Sequence, residues 1–256
     1  AQSVGCEAGA WVRAAVAMKS VGPDGQDACT DRLRPVLQAE ECATGPIATL
    51  RLLFLTAQAL RSIGKTGVPE VSVGPRMTHG QNQIHESPFG SPSSFVAVDV
   101  LPVRRLYDPT IFRGYRATVR CANTGSVETF MKLWQEECQQ RPVSKGVAVV
   151  LGAGNVTGLA AADAVSQIFE HGRAVLLKLH PVQSSLAPVF RAALKPLVEA
   201  GLLSVVVGGA ALVTDAISAQ EVTAMHLTGG EETFRNVVSS NKKKLLAKSI
   251  TCELGN

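Results

Sequence analysis

The segment VVLGAGNVTGLAAADAV, residues 149–165, indicates how the C-terminal half of the chain folds. An apolar, β-branched run passes through glycines at positions 152, 154 and 158 into small residues with helical spacing. A strand, a glycine turn and a helix in this order are typical of the first βα unit of an α/β protein. The glycine spacing is one residue longer than the dinucleotide fingerprint G-x-G-x-x-G, and Lys178, not an acidic residue, ends the next strand. The ordinary fingerprint therefore does not explain the turn.

Strand and helix patterns alternate after residue 145. Apolar runs predict strands at 146–152, 173–179, 202–209, 222–230 and 249–254. Helical patterns lie between them, at 156–170, 184–200, 210–217 and from about 231. Because this alternation requires right-handed crossovers, we predict an α/β fold with a doubly wound, Rossmann-like parallel sheet over residues 144–256.

The first 143 residues show a different pattern. Apolar residues at helical spacing predict helices at 8–19, 46–63 and 126–140, the second beginning at Pro46. Residues 67–95 are rich in Gly, Pro and Ser, which predicts short strands and loops, and 95–103 predicts an outlying strand. We expect residues 1–143 to form an N-terminal segment of helices and outlying strands.

Composition excludes several classes of function. The chain has 256 residues, 46% of them hydrophobic and 18% charged, with a formal charge of +4, and its basic residues are dispersed. We therefore expect no nucleic-acid partner. No apolar stretch is long enough for a membrane span, and no basic-then-apolar leader is present. Six cysteines without C-x-x-C spacing favour reduced thiols and a cytoplasmic location.

The histidines predict no metal site. His79 and His85 lie six residues apart in a polar stretch without further ligands, and His180 and His226 are expected at strand ends in a ligand cleft.

The predicted strand ends carry polar residues in a definite order: Asn155, Lys178, Thr228-Gly229-Gly230, and E-L-G-N from Glu253 to Asn256. This series resembles the N-terminal, cofactor-binding half of the aldehyde dehydrogenase superfamily, and the interval of 23 residues from Asn to Lys fits the family pattern. The resemblance extends over about 146–256. Gly154 before the Asn and Asn256 after E-L-G depart from the usual W-N and G-G pairs, which indicates a divergent branch.

The resemblance implies two catalytic residues. Asn155 would donate its amide N–H to the oxyanion of the substrate carbonyl, and Glu253 would act as general base. From the residues alone, two other interpretations remain open: Asn155 could simply be tolerated in a tight turn, and Glu253 could be a surface residue.

The resemblance also implies NAD or NADP as cofactor. Lys178 would contact the adenosine ribose, and the turn Thr228-Gly229-Gly230 would receive the pyrophosphate at a helix N-terminus. The remaining expected cofactor contacts are Leu151, Gly152, Ala153, His180, Pro181 and Gly208. Each of these assignments has an alternative. Lys178 could extend to solvent, and Gly208 could simply form a turn. Glu231 and Glu232 could cap the helix N-terminus in place of a phosphate.

The implied reaction is oxidation of an aldehyde by NAD(P)+ through a cysteine thioester. In this family the nucleophile follows E-L-G-G by a few dozen residues, in a separate thiol domain that we expect this chain to lack, and Cys252 should face away from Glu253. We therefore expect this chain to be an inactive fragment of an enzyme that acts on a small-molecule aldehyde or acyl substrate. Whether the full-length protein forms a homo-oligomer is left open. An acyl-CoA or fatty-acyl reductase of the same fold and a non-catalytic nucleotide-binding protein are the alternatives.

Overall fold

The computed structural model describes residues 1–22, 24–79, 94–103, 107–122, 125–140 and 146–255. The helices are α1 (Gln2–Lys19), α2 (Arg34–Cys42), α3 (Ala48–Thr66), α4 (Asp108–Ile111), α5 (Val127–Gln139), α6 (Thr157–Phe169), α7 (Ala187–Ala193), α8 (Lys195–Glu199), α9 (Ala210–Ser218) and α10 (Glu231–Leu245). The strands are β1 (Val73–His79), β2 (Ser94–Leu101), β3 (Ala117–Ala122), β4 (Val147–Leu151), β5 (Ala174–Lys178), β6 (Leu203–Val206), β7 (Val222–Gly229) and β8 (Ser249–Leu254). A π-helical turn, Ala43–Ile47, joins α2 to α3, and a 3-10 helix, Pro181–Leu186, precedes α7.

The chain divides into two compact units, Ala1–Thr56 with Pro142–Asn256, and Ala57–Arg141. The sequence predicted a border after residue 143, and the chain enters the first unit again close to that point. The predicted N-terminal segment nevertheless differs from these units, because α1 and α2 belong to the first. Val4 and Trp11 of α1 are completely buried in the same apolar cluster as the strand residues Val150 and Leu177.

The first unit contains the predicted doubly wound sheet. Its five strands are parallel, in the order β6-β5-β4-β7-β8. Helices α6 and α7 cover one face, and α9 and α10 cover the other. Neighbouring residues of β4 enter different clusters, Val150 on the first face and Val149 on the second, so the central strands are buried on both sides. The fold class predicted from the alternation of strands and helices is confirmed.

The helices differ from the sequence prediction at proline residues. Pro46 was expected to begin a helix but lies inside the π turn of a helical run that starts at Arg34. A π turn displaces the carbonyl that the ring would otherwise strike, so the helix continues. The single helix expected at 184–200 is divided into short pieces, with Pro188 in the first turn of α7 and Pro196 in that of α8. Within the described ranges, no helix combines the length and apolarity needed to cross a bilayer.

The second unit contains an antiparallel sheet in the order β1-β2-β3, with α5 against it. Its buried centre includes Val96 and Val98 of β2 and Phe130 of α5. The strand expected at 95–103 is β2, while residues 80–93, including His85, lie outside the described residues.

Candidate functional site

A cavity of about 800 Å³ lies at the carboxyl edge of the parallel sheet. Ligands of open α/β sheets bind at this edge. Its wall is formed by the ends of β4, β5, β7 and β8 and by parts of α6, α9 and α10. The lining residues are Leu151 to Asn155, Leu159, Lys178, His180, Pro181, Ala210, Val213, Thr214, Leu227 to Gly230, Thr233, Asn236, Val237, Ser240, Asn241 and Glu253 to Gly255. We call this cavity the cleft.

The cleft brings together the predicted site residues, with the exception of Gly208. A Cβ atom at Gly208 would lie 2.9 Å from Leu212 Cδ1, so this glycine allows the loop after β6 to pack against α9. The approach of the Gly208 backbone to a cofactor stays a prediction. The neighbouring Ala210 is the residue of this segment that lines the cleft.

The glycines of the opening segment allow close packing rather than an unusual backbone. A Cβ at Gly152 would lie 2.9 Å from the Cβ of Ala160, and one at Gly154 would lie 2.7 Å from Nδ1 of His180. A Cβ at Gly158 would overlap the carbonyl oxygen of Thr44 in the π turn. The third glycine therefore fixes α6 against the N-terminal helices and does not face a ligand.

Asn155 is exposed at the rim of the cleft, immediately before α6. Its Oδ1 accepts a hydrogen bond from the N–H of Val156 at 2.9 Å. Because this bond occupies the carbonyl end of the side chain, the Nδ2 group is the end left to donate to a ligand.

Lys178 is the last residue of β5 and is half-buried in the wall of the cleft. No carboxylate in the described part of the chain forms an ion pair with it, and burial lowers the pKa of its ammonium. His180 lies close by, and its pKa is lowered by burial and by the charge of Lys178. The wall therefore presents a cation whose charge no carboxylate of the described residues neutralises.

The cleft extends from one face of the sheet to the other. Leu151 is in register with both Lys178 and Leu227, so these three residues share a row across the sheet. Thr228 and Glu253 are in register in the next row. Because side chains alternate along a strand, Lys178 and Glu253 lie on opposite faces of the sheet.

Helix α10 begins inside the cleft. Gly230 is its N-cap and makes no side-chain capping bond, so the first backbone N–H groups of the helix lack a side-chain partner at the cap. Glu231, which the sequence suggested as a cap, instead accepts hydrogen bonds from Arg235 at 2.6 and 3.1 Å. The helix N-terminus is therefore suited to receive an anion.

Sequence reasoning missed the polar face of α10. Thr233, Asn236 and Ser240 line the cleft at helical spacing together with Asn241. The spacing of 3, 4 and 1 residues between them was a detectable signal once the helix was placed. Asn241 is 4% exposed and donates to the carbonyl of Val237 at 2.9 Å, while its Oδ1 has no partner among the described residues.

Sequence reasoning also missed a buried polar group next to Glu253. His226 was expected at a strand end in the cleft, but it lies three residues before the end of β7 and is buried against Asp163 of α6. A carboxylate oxygen of Asp163, a carboxylate oxygen of Glu253 and a ring nitrogen of His226 all lie within 4.8 Å of one another. No spacing in the sequence indicated this group, because it depends on how α6 packs against β7.

The cysteines that the structure describes do not line the cleft. Cys252 is exposed on β8, in register with Leu227, while its neighbour Glu253 reaches the cleft.

The sheet and the cleft at its carboxyl edge define a Rossmann-like α/β protein. A sequence model of the aldehyde dehydrogenase family matches residues 108–256, which is more than half of the chain. The chain therefore belongs to the aldehyde dehydrogenase family. A comparison with curated protein sequences finds no match.

Solved aldehyde dehydrogenases share the fold at low identity. A mutant indole-3-acetaldehyde dehydrogenase of P. syringae, in complex with NAD+ and IAA, matches with a TM-score of 0.50 and 13% identity over 99% of this chain and 37% of that chain. An indole-3-acetaldehyde dehydrogenase in complex with NAD+ matches with a TM-score of 0.50 and 12% identity over 99% and 37%. The NADP-dependent glyceraldehyde-3-phosphate dehydrogenase from Bacillus halodurans matches with a TM-score of 0.48 and 14% identity over 100% and 40%. This chain spans roughly two fifths of the length of these structures.

Proposed function

We propose that the cleft binds NAD+ or NADP+ and that the chain supplies the cofactor-binding part of an aldehyde dehydrogenase. The observation that carries this proposal is Lys178, a half-buried ammonium with no carboxylate partner among the described residues, in the wall of a large cleft. Lysine is rarely buried without a partner, and ribose hydroxyls or a phosphate provide one. The family to which the chain belongs and the NAD+ held by two of its structural relatives support the same ligand.

We propose an orientation of the cofactor from the polarity of the wall. The adenosine half lies on the face of α9 and α10, with its ribose at Lys178 and its base between Val213 and the polar face of α10. The pyrophosphate lies at the N-terminus of α10, after Gly229 and Gly230. The nicotinamide then reaches the other face of the sheet, where Asn155 and Glu253 line the cleft.

The residues near the proposed nicotinamide end fit acyl chemistry on a small-molecule aldehyde or acyl substrate. When bound, the cofactor would supply the hydride acceptor. The Nδ2 group of Asn155 would donate to the carbonyl oxygen as negative charge develops there, an effect of about 3 kcal/mol for one such donor. Glu253 would accept a proton from water or from a thiol.

We propose that the nucleophilic thiol comes from polypeptide outside these 256 residues, since the described cysteines do not line the cleft. The chain alone should therefore bind the cofactor without oxidising aldehydes. Addition of an aldehyde and NAD+ to the purified chain should give no increase in absorbance from NADH. Steady production of NADH that depends on Cys252 would contradict this part of the proposal.

We place the protein in the cytoplasm. The side chains of Cys6, Cys29, Cys42, Cys121 and Cys252 are free thiols, which suits a reducing compartment.

Calorimetric titration of NAD+ and NADP+ into the purified chain tests cofactor binding. The Lys178→Ala variant should lose affinity by about tenfold or more, because a charge-assisted hydrogen bond contributes roughly 1.5–3 kcal/mol. The matched control is Lys195→Ala on α8, where the lysine is 65% exposed and pairs with Glu199 at the surface. Equal affinities of the wild type and both variants would remove Lys178 from the site, and absence of any binding by the wild type would overturn the proposal.

A further inference from the structure

The lysine at the end of β5 is followed by a second nitrogen donor. Lys178 and His180 both line the cleft, and Leu179 between them is completely buried in the apolar cluster on the α6 and α7 face. The N–H of Leu179 donates to the carbonyl oxygen of Val206 at 3.0 Å, so the extended pairing with β6 continues beyond Lys178. Residues two apart in an extended chain lie on the same side. Lys178 and His180 are therefore directed to the same part of the cleft.

The surroundings of His180 determine which ring nitrogen can donate to a ligand. The backbone N–H of Val182 donates to Nδ1 of His180 at 3.3 Å. Because a backbone N–H can only donate, Nδ1 carries no proton in this arrangement, and the proton of the imidazole lies on Nε2. Burial, and then the charge of Lys178, lower the pKa of His180, which favours the same neutral form. His180 therefore offers one N–H donor, at Nε2, to the cleft.

Gly154 makes room for this imidazole. A Cβ atom at Gly154 would lie 2.7 Å from Nδ1 of His180 and 3.0 Å from two carbon atoms of the ring. The turn after β4 and the residue that follows β5 therefore pack closely, and the ring is held at the wall of the cleft beside Lys178.

The cleft has no carboxylate near this pair. Among the described residues that line it, Glu253 is the one carboxylate, and it lies on β8. Strands β4 and β7 separate β5 from β8, so the strand that carries Lys178 is three inter-strand spacings, about 14 Å, from the strand that carries Glu253. The β5 end of the cleft therefore offers a cation and an N–H donor to a ligand.

The two nicotinamide cofactors differ only at the 2′ position of the adenosine ribose, which has a hydroxyl in NAD+ and a phosphate in NADP+. A carboxylate is the group that accepts from the ribose hydroxyls of NAD+, whereas a basic side chain accommodates a 2′-phosphate. A phosphate monoester carries a charge of about −1.5 to −2 at pH 7 and forms strong hydrogen bonds with cationic donors. The β5 end of the cleft therefore fits the phosphate better than the hydroxyl.

We propose that Lys178 and His180 together hold the 2′-phosphate of NADP+, and that the chain therefore binds NADP+ more tightly than NAD+. The inference rests on the cofactor binding proposed above and adds the choice between the two cofactors. Lys178 supplies the positive charge, and Nε2 of His180 donates to a second phosphate oxygen. His180 is then a specificity-determining residue, because NAD+ has no group that uses its N–H in this way.

Calorimetric titration of the whole chain tests the preference without requiring catalysis. The wild type should bind NADP+ about tenfold or more tightly than NAD+, since hydrogen bonds to charged groups are the strong ones. It should prefer adenosine 2′,5′-bisphosphate to 5′-AMP by a similar factor, because the difference lies in the ribose phosphate.

Two substitutions at the exposed His180 test its part in the preference. His180→Ala should weaken NADP+ binding by about fivefold or more and change NAD+ binding by less than about twofold. His180→Glu should reverse the preference, because a carboxylate repels the phosphate and accepts from ribose hydroxyls. The matched control, Lys195→Ala, removes a surface cation that pairs with Glu199 on α8 and should leave the ratio of the two affinities unchanged.

The outcomes separate this inference from the proposed function. Wild-type affinities that are equal for the two cofactors, or tighter for NAD+, would overturn the inference and leave cofactor binding in place. A wild-type ratio retained in His180→Ala would also overturn it, and this comparison tolerates partial unfolding because both cofactors titrate the same folded fraction. A wild type that binds neither cofactor would overturn the proposed function itself.

Discussion

At the scale of single residues, Lys178 carries the most specific information in the chain. The sequence showed a lysine at the end of an apolar strand, and the structure shows the same lysine in the wall of a large cleft without a carboxylate partner among the described residues. The glycines before it, which first suggested a phosphate site, allow close packing against Ala160, His180 and Thr44. We therefore propose that a nucleotide binds at Lys178 and at the start of α10.

A lysine kept for a ligand should reduce the stability of the ligand-free protein. Burial lowers the pKa of Lys178, so the folded state disfavours the charged form, and this penalty applies below the folded pKa. Replacement Lys178→Met should therefore raise the free energy of unfolding at pH 7 by a small amount, and the gain should shrink as the pH rises toward 10.5 and above. Urea unfolding at several pH values without cofactor measures this. A variant that is less stable at pH 7 would show that Lys178 has a structural partner.

At the scale of elements, hydrophobic patterning predicted the parallel sheet and the N-terminal helices α1 and α3, and it missed α2. The central strand β4 is detectable because a strand buried on both faces consists of uninterrupted apolar residues, whereas the edge strand β8 is mostly exposed and alternates apolar with polar residues. Helix α2 was not predicted; it has only nine residues, and Val36 within it is 61% exposed. The contact between His226 and Asp163 could not be predicted, since it depends on the packing of α6 against β7.

The packing of α6 against the π turn gives an element-scale prediction. Gly158→Ala should destabilise the protein by about 1–3 kcal/mol, because the new Cβ overlaps the backbone carbonyl of Thr44, which cannot move as a flexible side chain would. The control is Gly5→Ala in α1, where a Cβ meets nothing within 4 Å and the variant should gain up to about 1 kcal/mol. Denaturant unfolding of both variants measures the difference. Equal stabilities would contradict the close contact between α6 and the π turn.

A buried polar network at the start of α6 gives a second element-scale prediction. The indole N–H of Trp11 donates to the hydroxyl of Thr157 at 3.0 Å, and this hydroxyl donates to Glu41 at 2.7 Å. Thr157→Val should lower the free energy of unfolding by about 2–3 kcal/mol, since the buried indole N–H and the carboxylate each lose a partner. Thr110→Val, at an exposed position of α4, should change it by less than about 0.5 kcal/mol. A neutral effect of Thr157→Val would show that the network contributes nothing net.

At the scale of the whole molecule, cofactor binding should stabilise the fold. A ligand at 100 times its dissociation constant contributes about 2.7 kcal/mol, which corresponds to an increase in Tm of roughly 5–10 °C for a protein of this size. Thermal unfolding with increasing NAD+ or NADP+ should show this increase in the wild type and a much smaller one in Lys178→Ala. An increase that is the same in both proteins would indicate binding elsewhere on the chain.

The fold and most residues of the cleft follow from sequence, because both depend on local patterns at strand ends. Asn155, Lys178 and Glu253 lie at predicted strand ends, and they were identified together, by their order along the chain and its resemblance to the aldehyde dehydrogenase family. Thr233, Asn236 and Ser240 required the orientation of α10 about its axis, which a local pattern does not give. The preference between NAD+ and NADP+ depends on the groups around the ribose. Among the described residues, Lys178 has no carboxylate beside it that would repel a 2′-phosphate, so both cofactors remain compatible with the site.

The most direct test of the central claim is a crystal structure of the chain with NAD+ or NADP+ bound. We expect the adenosine ribose within hydrogen-bond distance of Nζ of Lys178, the pyrophosphate at the N-terminus of α10, and the nicotinamide beside Asn155 and Glu253. A nucleotide bound away from the carboxyl edge of the sheet, or one whose phosphates lie on the turn from Gly152 to Gly154, would contradict the account.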